Sequence, residues 1–196
     1  MYLNYIIYLC LKETHQIYLA AINKENYKTI FYTEEIKTPI GNLIAIADDN
    51  YLYACFFISD SNICAIEKLL KIYNAKISFK TNDITDQTRN QLDKYFNKKL
   101  KTFSIPLQLT GTDFQKQVWH ELIKIPYGET ISYRKEATNI GKPTAFRAVA
   151  NANGKNLLPI IIPCHRVINS NGKLGGYTGG LDKKEFLLKL ESNKKS

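Results

Sequence analysis

The residues with the strongest chemical potential stand together in Pro159-Ile160-Ile161-Ile162-Pro163-Cys164-His165-Arg166-Val167. A cysteine attacks as its thiolate, which apolar burial disfavours and a nearby cation or base favours. His165 could serve as the base and Arg166 as the cation if either lies close to the sulfur in space. Adjacency alone does not show this, because neighbours on an extended strand point to opposite faces. The same run reads also as a core strand that buries its cysteine, a residue type often found inside. Structural zinc needs four ligands, usually in closely spaced pairs. Cys164-His165 has no second pair beside it, and the remote Cys10 with His15 is a possible partner pair that nothing else supports. The remaining cysteines, Cys55 and Cys64, form no CxxC, and a chain of 196 residues needs no disulfide staples. Reduced thiols in the cytoplasm are the simpler reading. Gly175-Gly176-Tyr177-Thr178-Gly179-Gly180 matches neither the P-loop nor the dinucleotide fingerprint.

The elements that must position this cysteine are legible in the punctuation around it. Thr112 with Gln115 forms a capping box before Phe114, Val118, Leu122 and Ile125, and Pro126-Tyr127-Gly128 stops that helix. Ser132 can cap a short helix over Tyr133–Ile140, which Gly141 ends. Pro143 suits the first position of a further helix that closes at Gly154. Helix, tight glycine turn and second helix give the outline of a helix-turn-helix. Asn171-Gly172 predicts a hairpin-like return over Val167–Leu174. Asp182 with Glu185 predicts a capping box opening a last helix that ends in Glu191. Upstream, Thr38–Ala47 and Tyr51–Ile58 read as strands joined by an Asp48-Asp49-Asn50 turn. Ser61–Asn74 and Thr85–Asn97 read as helices, and Phe103–Leu109 as a returning strand. Two domains follow: residues 1–109, with 1–30 an extension of no assigned role, and residues 110–196.

Hydrophobic residues make up 44% and charged residues 23%, the balance of a packed globular protein rather than a disordered one. Tyr2–Leu11 is apolar but too short to span a bilayer and lacks the basic start of a signal peptide, so no membrane is expected. The formal net charge is +9. Residues 1–109 hold 13 basic and 11 acidic residues and residues 110–196 hold 14 and 7, so the second part carries +7 of that total. An excess placed there suits contact with phosphates, although a lysine-rich surface would account for it too.

Pro163-Cys164-His165-Arg166-Val167, preceded by Asn156-Leu157-Leu158-Pro159 and followed by Gly175-Gly176-Tyr177-Thr178-Gly179-Gly180-Leu181, resembles the O6-alkylguanine-DNA alkyltransferases, or methylated-DNA–protein-cysteine methyltransferases. The resemblance runs nearly unbroken from Phe114 through Glu191, including Ile125-Pro126-Tyr127-Gly128-Glu129-Thr130 and Arg147-Ala148-Val149. It is weaker before Thr110, resting mainly on Thr38-Pro39-Ile40-Gly41. It implies an α/β (α+β) fold: a ribonuclease-H-like α/β domain, then a mostly helical, winged helix-turn-helix-like domain.

The resemblance also implies an activity: one irreversible transfer of an alkyl group, chiefly methyl, from O6-alkylguanine or O4-alkylthymine in double-stranded DNA to Cys164. His165 would act as base through a water and Glu191 would orient it, an activated-nucleophile triad. Tyr133 would hydrogen-bond the leaving guanine. Backbone groups at Cys164 and Val167 would read its amine, the Thr178 amide would face O6, Tyr177 would wall the pocket, and Asn156 would hold the turn. Arg147 would fill the stack after base flipping, with Thr144, Phe146, Ala148 and Asn151 on the same helix against the minor groove. No cofactor or metal is implied, and the protein would act as a monomer in the cytoplasm, or in the nucleus of a eukaryotic host.

Two positions depart from the family pattern: Phe146 stands where a small residue is frequent, and Thr178 where serine is. Three other classes compete. An alkyltransferase-like protein that only binds lesions would need Cys164 to be unreactive. A helix-turn-helix regulator would leave Pro163–Arg166 unexplained. A cysteine hydrolase would need an oxyanion hole and a histidine from elsewhere, and His15 and His120 sit in no matching motif.

Overall fold

The computed structural model describes residues 26–57 and 60–192. They fall into two compact units, one of residues 26–37, 41–89 and 105–108 and one of residues 38–40, 90–104 and 109–192. The predicted Cys10–His15 pairing and most of the predicted extension lie outside the described residues.

The first unit is a mixed sheet with helices. Strands β1 (Thr29–Ile36), β2 (Leu43–Ala47), β3 (Leu52–Phe57) and β4 (Ala75–Ser78) lie in the order β3-β2-β1-β4. β1 pairs antiparallel with β2 and parallel with β4, and β2 pairs antiparallel with β3. The predicted hairpin is present. Its turn is held by Asp48, whose Oδ1 accepts from the amides of Asn50 and Tyr51, both at 2.8 Å. β2 and β3 are buried throughout. β1 begins at Thr29, inside the stretch read as an extension, because Phe31, Thr33 and Ile36 turn inward. Helix α1 (Asp60–Tyr73) seals the sheet with Ile66 and Leu69. Phe31, Tyr53 and Tyr73 form an aromatic cluster with centroids 4.7–5.8 Å apart. The expected strand over Phe103–Leu109 is absent: only Leu107 makes a bridge, to Leu52, and the chain there is otherwise irregular.

Helix α2 (Asp83–Phe96) is opened by a reciprocal pair between Asn82 and Thr85, each side chain bonding the other's amide. Its last turns, from Asn90 on, count with the second unit, where Leu92 and Tyr95 are buried.

In the second unit, helix α3 (Asp113–Ile123) starts at the predicted capping box of Thr112 and Gln115. It buries Val118, Trp119 and Leu122, each aliphatic side chain contributing about 1.5–3 kcal/mol. Trp119 Nε1 donates to Ala152 O at 2.9 Å, tying α3 to helix α5 (Phe146–Asn153). Helix α4 (Tyr133–Asn139) is capped by Ser132 as expected. It ends in a Schellman motif: Gly141 N bonds Thr138 O at 2.9 Å and Lys142 N bonds Ala137 O at 2.8 Å, with Gly141 at φ +74°. α5 does not start at Pro143. Ala145 N bonds Lys142 O at 2.9 Å, so Pro143 and Thr144 occupy a turn and the helix begins three residues later. Strands β5 (Ile131–Ser132) and β6 (Val167–Ile168) pair in parallel, so Val167–Leu174 is no hairpin. The Asn171-Gly172 turn itself is real, with Gly172 at φ +79° and Asn169 N bonded to Lys173 O. Helix α6 (Leu181–Glu191) starts after Gly180 at φ +99°, without the predicted Asp182–Glu185 box. No described helix is long and apolar enough to cross a membrane.

Candidate active site

The apolar run before Cys164 is not a strand. Leu158–Ile162 folds into a tight buried turn in which Ile162 N bonds Leu158 O at 2.8 Å and Ile160 sits at φ +76°. A β-branched residue there costs of order 1–3 kcal/mol and persists only where its surroundings hold it. Asn156 does the holding. Its Nδ2 donates to Ile162 O at 2.9 Å and lies 3.4 Å from Cys164 Sγ, while its Oδ1 accepts from Leu158 N at 2.9 Å. Cys164–Arg166 then forms a 3-10 turn. The expectation that Cys164 and His165 diverge as strand neighbours therefore does not apply.

Cys164 is 5% exposed, at the foot of a cavity of about 550 Å³. Tyr133, Arg147, Asn153, Tyr177 and Thr178 are among its walls. Burial pushes the thiol up to about 11, and the Asn156 hydrogen bond and the Lys184 charge oppose that rise.

His165 is wholly buried, and its Nε2 lies 2.9 Å from Glu191 Oε1. Burial lowers its pKa below the ordinary value. A neutral imidazole bonded to a carboxylate through Nε2–H keeps Nδ1 as an acceptor, and Nδ1 has no partner among the described residues. Glu191 is the hub. Tyr95 Oη donates to Oε1 at 2.7 Å, Arg166 Nη2 to Oε1 and Nε to Oε2 at 2.9 Å, and Gly128 N to Oε2 at 3.1 Å. Burial alone would raise this carboxyl, but the bonds from His165 and Arg166 outweigh it and hold it well below the usual range. Arg166 also donates to Ile125 O at 2.6 Å. It fixes Glu191 rather than the sulfur.

Tyr133 opens α4 on the cavity wall, its hydroxyl 3.5 Å from Gly176 O. Burial, then the charges of Cys164 and Glu136, push that phenol up to about 12, so it is a donor at neutral pH. Gly175 lies so close that a Cβ there would sit 2.5 Å from Tyr133 Oη. Val167 is buried and does not line the cavity; its carbonyl accepts from Lys184 Nζ at 2.6 Å. On α5 and the turn before it, Thr144, Arg147, Ala148 and Asn151 are exposed at helical spacing, while Phe146 is half-buried. The guanidinium carbons of Arg134 and Arg147 lie 5.3 and 5.9 Å from the Phe146 ring centroid.

The family model of the 6-O-methylguanine DNA methyltransferase DNA binding domain matches residues 113–193, and that of the 6-O-methylguanine DNA methyltransferase ribonuclease-like domain matches residues 30–109. The chain belongs to the 6-O-methylguanine DNA methyltransferase family. The methylated-DNA–protein-cysteine methyltransferase of Methanosarcina mazei is 47% identical over 162 residues, which are 83% of this chain and 98% of the relative. That of Methanosarcina acetivorans is 42% identical over the same length, 83% and 99% of the two chains. The crystal structure of Mycobacterium tuberculosis OGT in complex with DNA superposes with a TM-score of 0.69 at 39% identity, covering 83% of this chain and 92% of that one.

Within this methyltransferase chain, several residues that build the site carried no local signal. Tyr95 reaches Glu191 from 96 positions away. Lys184 is a lysine in a helix with many, yet it is fully buried and bonds the carbonyls of Val167 and Gly176. Arg166 stood out beside Cys164, but its role behind Glu191 depends on a contact 25 residues long. Among the described residues no group of three or more His, Cys, Asp or Glu could hold a metal ion.

Proposed function

We propose that this chain repairs DNA by moving the alkyl group of O6-alkylguanine onto Cys164, once per molecule. The observation that carries the reading is the sulfur at the foot of a purine-sized cavity with a buried imidazole and carboxylate behind it. Through a bridging water, His165 Nδ1 takes the thiol proton, and Glu191 stabilises the imidazolium that forms. The sulfur attacks the alkyl carbon as the carbon–O6 bond breaks. The bond's electron pair leaves with guanine as its anion, which regains the O6 carbonyl, is steadied by a hydrogen bond from Tyr133 and takes its N1 proton from solvent, while the imidazolium returns the thiol proton to solvent. The thioether is stable, so the protein is spent.

A stacked base cannot offer its alkyl carbon to this sulfur, so the nucleotide must leave the duplex, at a cost of about a few kcal/mol. The exposed stripe of Thr144, Arg147, Ala148 and Asn151 suits the minor groove: small residues allow close approach and Arg147 can fill the vacated stack. The +7 excess in residues 110–196 supplies phosphate attraction independent of base sequence. The protein acts as a monomer, in the cytoplasm or a eukaryotic nucleus, with its two domains divided near residue 110.

One observation favours the lesion-binding alternative: the thiol is pushed up to about 11. The neutral His165 answers it, because a base that takes the proton during attack needs no standing thiolate. Incubation with duplex DNA carrying O6-methylguanine, followed by intact-mass and nucleoside analysis, tests the choice. Gain of one methylene by the protein with recovery of guanine, both lost in Cys164→Ser, supports transfer. Tight binding without a mass change means recognition only.

A further inference from the structure

Glu136 lies on α4 with none of its surface exposed. A carboxylate there would have to be paired to repay its desolvation. Among the described residues no cation forms an ion pair with it. Lys184 on α6 acts on it electrostatically, yet donates Nζ to Val167 O at 2.6 Å and Gly176 O at 3.4 Å. Glu121 on α3 adds a like charge. Among the described residues its side-chain hydrogen bond is with α5: Asn153 Nδ2 donates to Glu136 Oε2 at 2.8 Å. The other polar atom of each side chain, Glu136 Oε1 and Asn153 Oδ1, is buried without a partner among the described residues.

Both orphaned atoms are acceptors, on two groups already joined by one bond. A carboxylic acid and a primary amide are complementary: the acid O–H donates to the amide oxygen while the amide N–H donates to the acid carbonyl. A proton on Oε1 therefore satisfies both atoms at once. We infer that Glu136 is a positioning residue for the alkyl transfer proposed above, remaining a protonated acid that clamps Asn153, through two hydrogen bonds, into the cavity wall it shares with Cys164.

The electrostatics agree with the geometry. Burial is the largest influence and, with Glu121, pushes Glu136 up to about 8 against the opposing effects of Asn153 and Lys184. Above that pH the acid ionises, Oε1 repels Asn153 Oδ1, and the new negative charge opposes ionisation of Cys164 and Tyr133. Alkaline conditions, which would otherwise supply thiolate, thus loosen the wall and hold the proton on sulfur.

Glu136→Gln makes the same two bonds as an amide pair but cannot titrate. Infrared titration of the free protein should show a protonated-carboxyl C=O band that disappears with a midpoint near pH 8, and that band should be missing from Glu136→Gln and from Glu136→Leu. Single-turnover rates on O6-methylguanine duplex should give a Glu136→Gln to wild-type ratio that grows about three- to tenfold from about pH 7 to about pH 9, the harder proton removal from a thiol whose pKa the new charge raises by roughly half to one unit. Absence of a titrating band in the wild type overturns the acid–amide pair. A ratio that stays flat across pH overturns the positioning role. If neither chain transfers methyl at any pH, the alkyl-transfer reading fails and the positioning role with it, while the infrared band still decides the pair.

Discussion

Replacing Glu191 by glutamine tests the relay behind Cys164 without changing side-chain volume. The native carboxylate accepts from Tyr95, His165, Gly128 and, through both of its oxygens, Arg166. Glutamine offers one acceptor oxygen and one NH2. With the NH2 at the Oε2 position it meets the N–H groups of Gly128 and Arg166. At the Oε1 position it meets Arg166 Nη2 and, to bond His165, forces Nε2 to accept and moves the ring proton to Nδ1. The first arrangement leaves buried donors facing donors; the second removes the base. Breaking a buried charge pair by losing one partner costs about 3–5 kcal/mol. At about 2–4 °C per kcal/mol for a protein of this size, Tm should fall by roughly 6–20 °C. Loss of general-base action should slow transfer by about 10²–10⁴-fold. Calorimetry reads the first effect and single-turnover transfer from O6-methylguanine duplex the second. A variant within about 0.5 kcal/mol of wild type that transfers at an unchanged rate would refute the relay.

Three further outcomes follow from the same geometry. The Glu191 carboxyl is held below its ordinary value, so its stabilisation is complete above the unfolded value of 4.5 and is lost as pH falls toward the folded one; acid unfolding should show that loss in wild type and not in Glu191→Gln, and equal acid sensitivity would contradict it. Arg147→Ala should weaken repair of duplex DNA about tenfold or more while leaving reaction with free O6-benzylguanine nearly unchanged, since the free base needs no flipping; equal losses on both substrates would remove the finger role. Gly175→Ala puts a methyl 2.5 Å from Tyr133 Oη and should slow transfer by about tenfold, or ~1.4 kcal/mol of barrier, with little change in Tm; an unaltered rate would show that Tyr133 does not act where it sits.

Local turn chemistry was readable wherever one residue decides a backbone state. Thr112 with Gln115, Ser132, Gly141 and Gly172 all act as their types required. Pro143 misled because proline suits a turn as well as a helix start, and the Lys142–Ala145 bond chooses the turn. β1 and β4 escaped notice because their parallel pairing joins Thr29 to Ala75, information no short window contains. The isoleucines before Cys164 looked like a strand because composition does not reveal the positive φ of Ile160 or its anchoring by Asn156. Cys164 and His165 stood out through their own chemistry, whereas Glu191 entered through family resemblance; His165 and Glu191 are bonded to each other. Tyr95 and Lys184 were silent, since any tyrosine or lysine on a helix reads as surface until the fold buries it. Glu136 was silent for the same reason.

The most direct measurement is a crystal structure of Cys164→Ser with duplex DNA carrying O6-methylguanine. The predicted result places the modified base outside the helix in the cavity, its methyl carbon against the residue 164 side chain, Tyr133 at its edge and Arg147 in the stack. A lesion still paired or stacked in the duplex, or a cavity filled by protein while DNA lies elsewhere, would contradict direct transfer to Cys164.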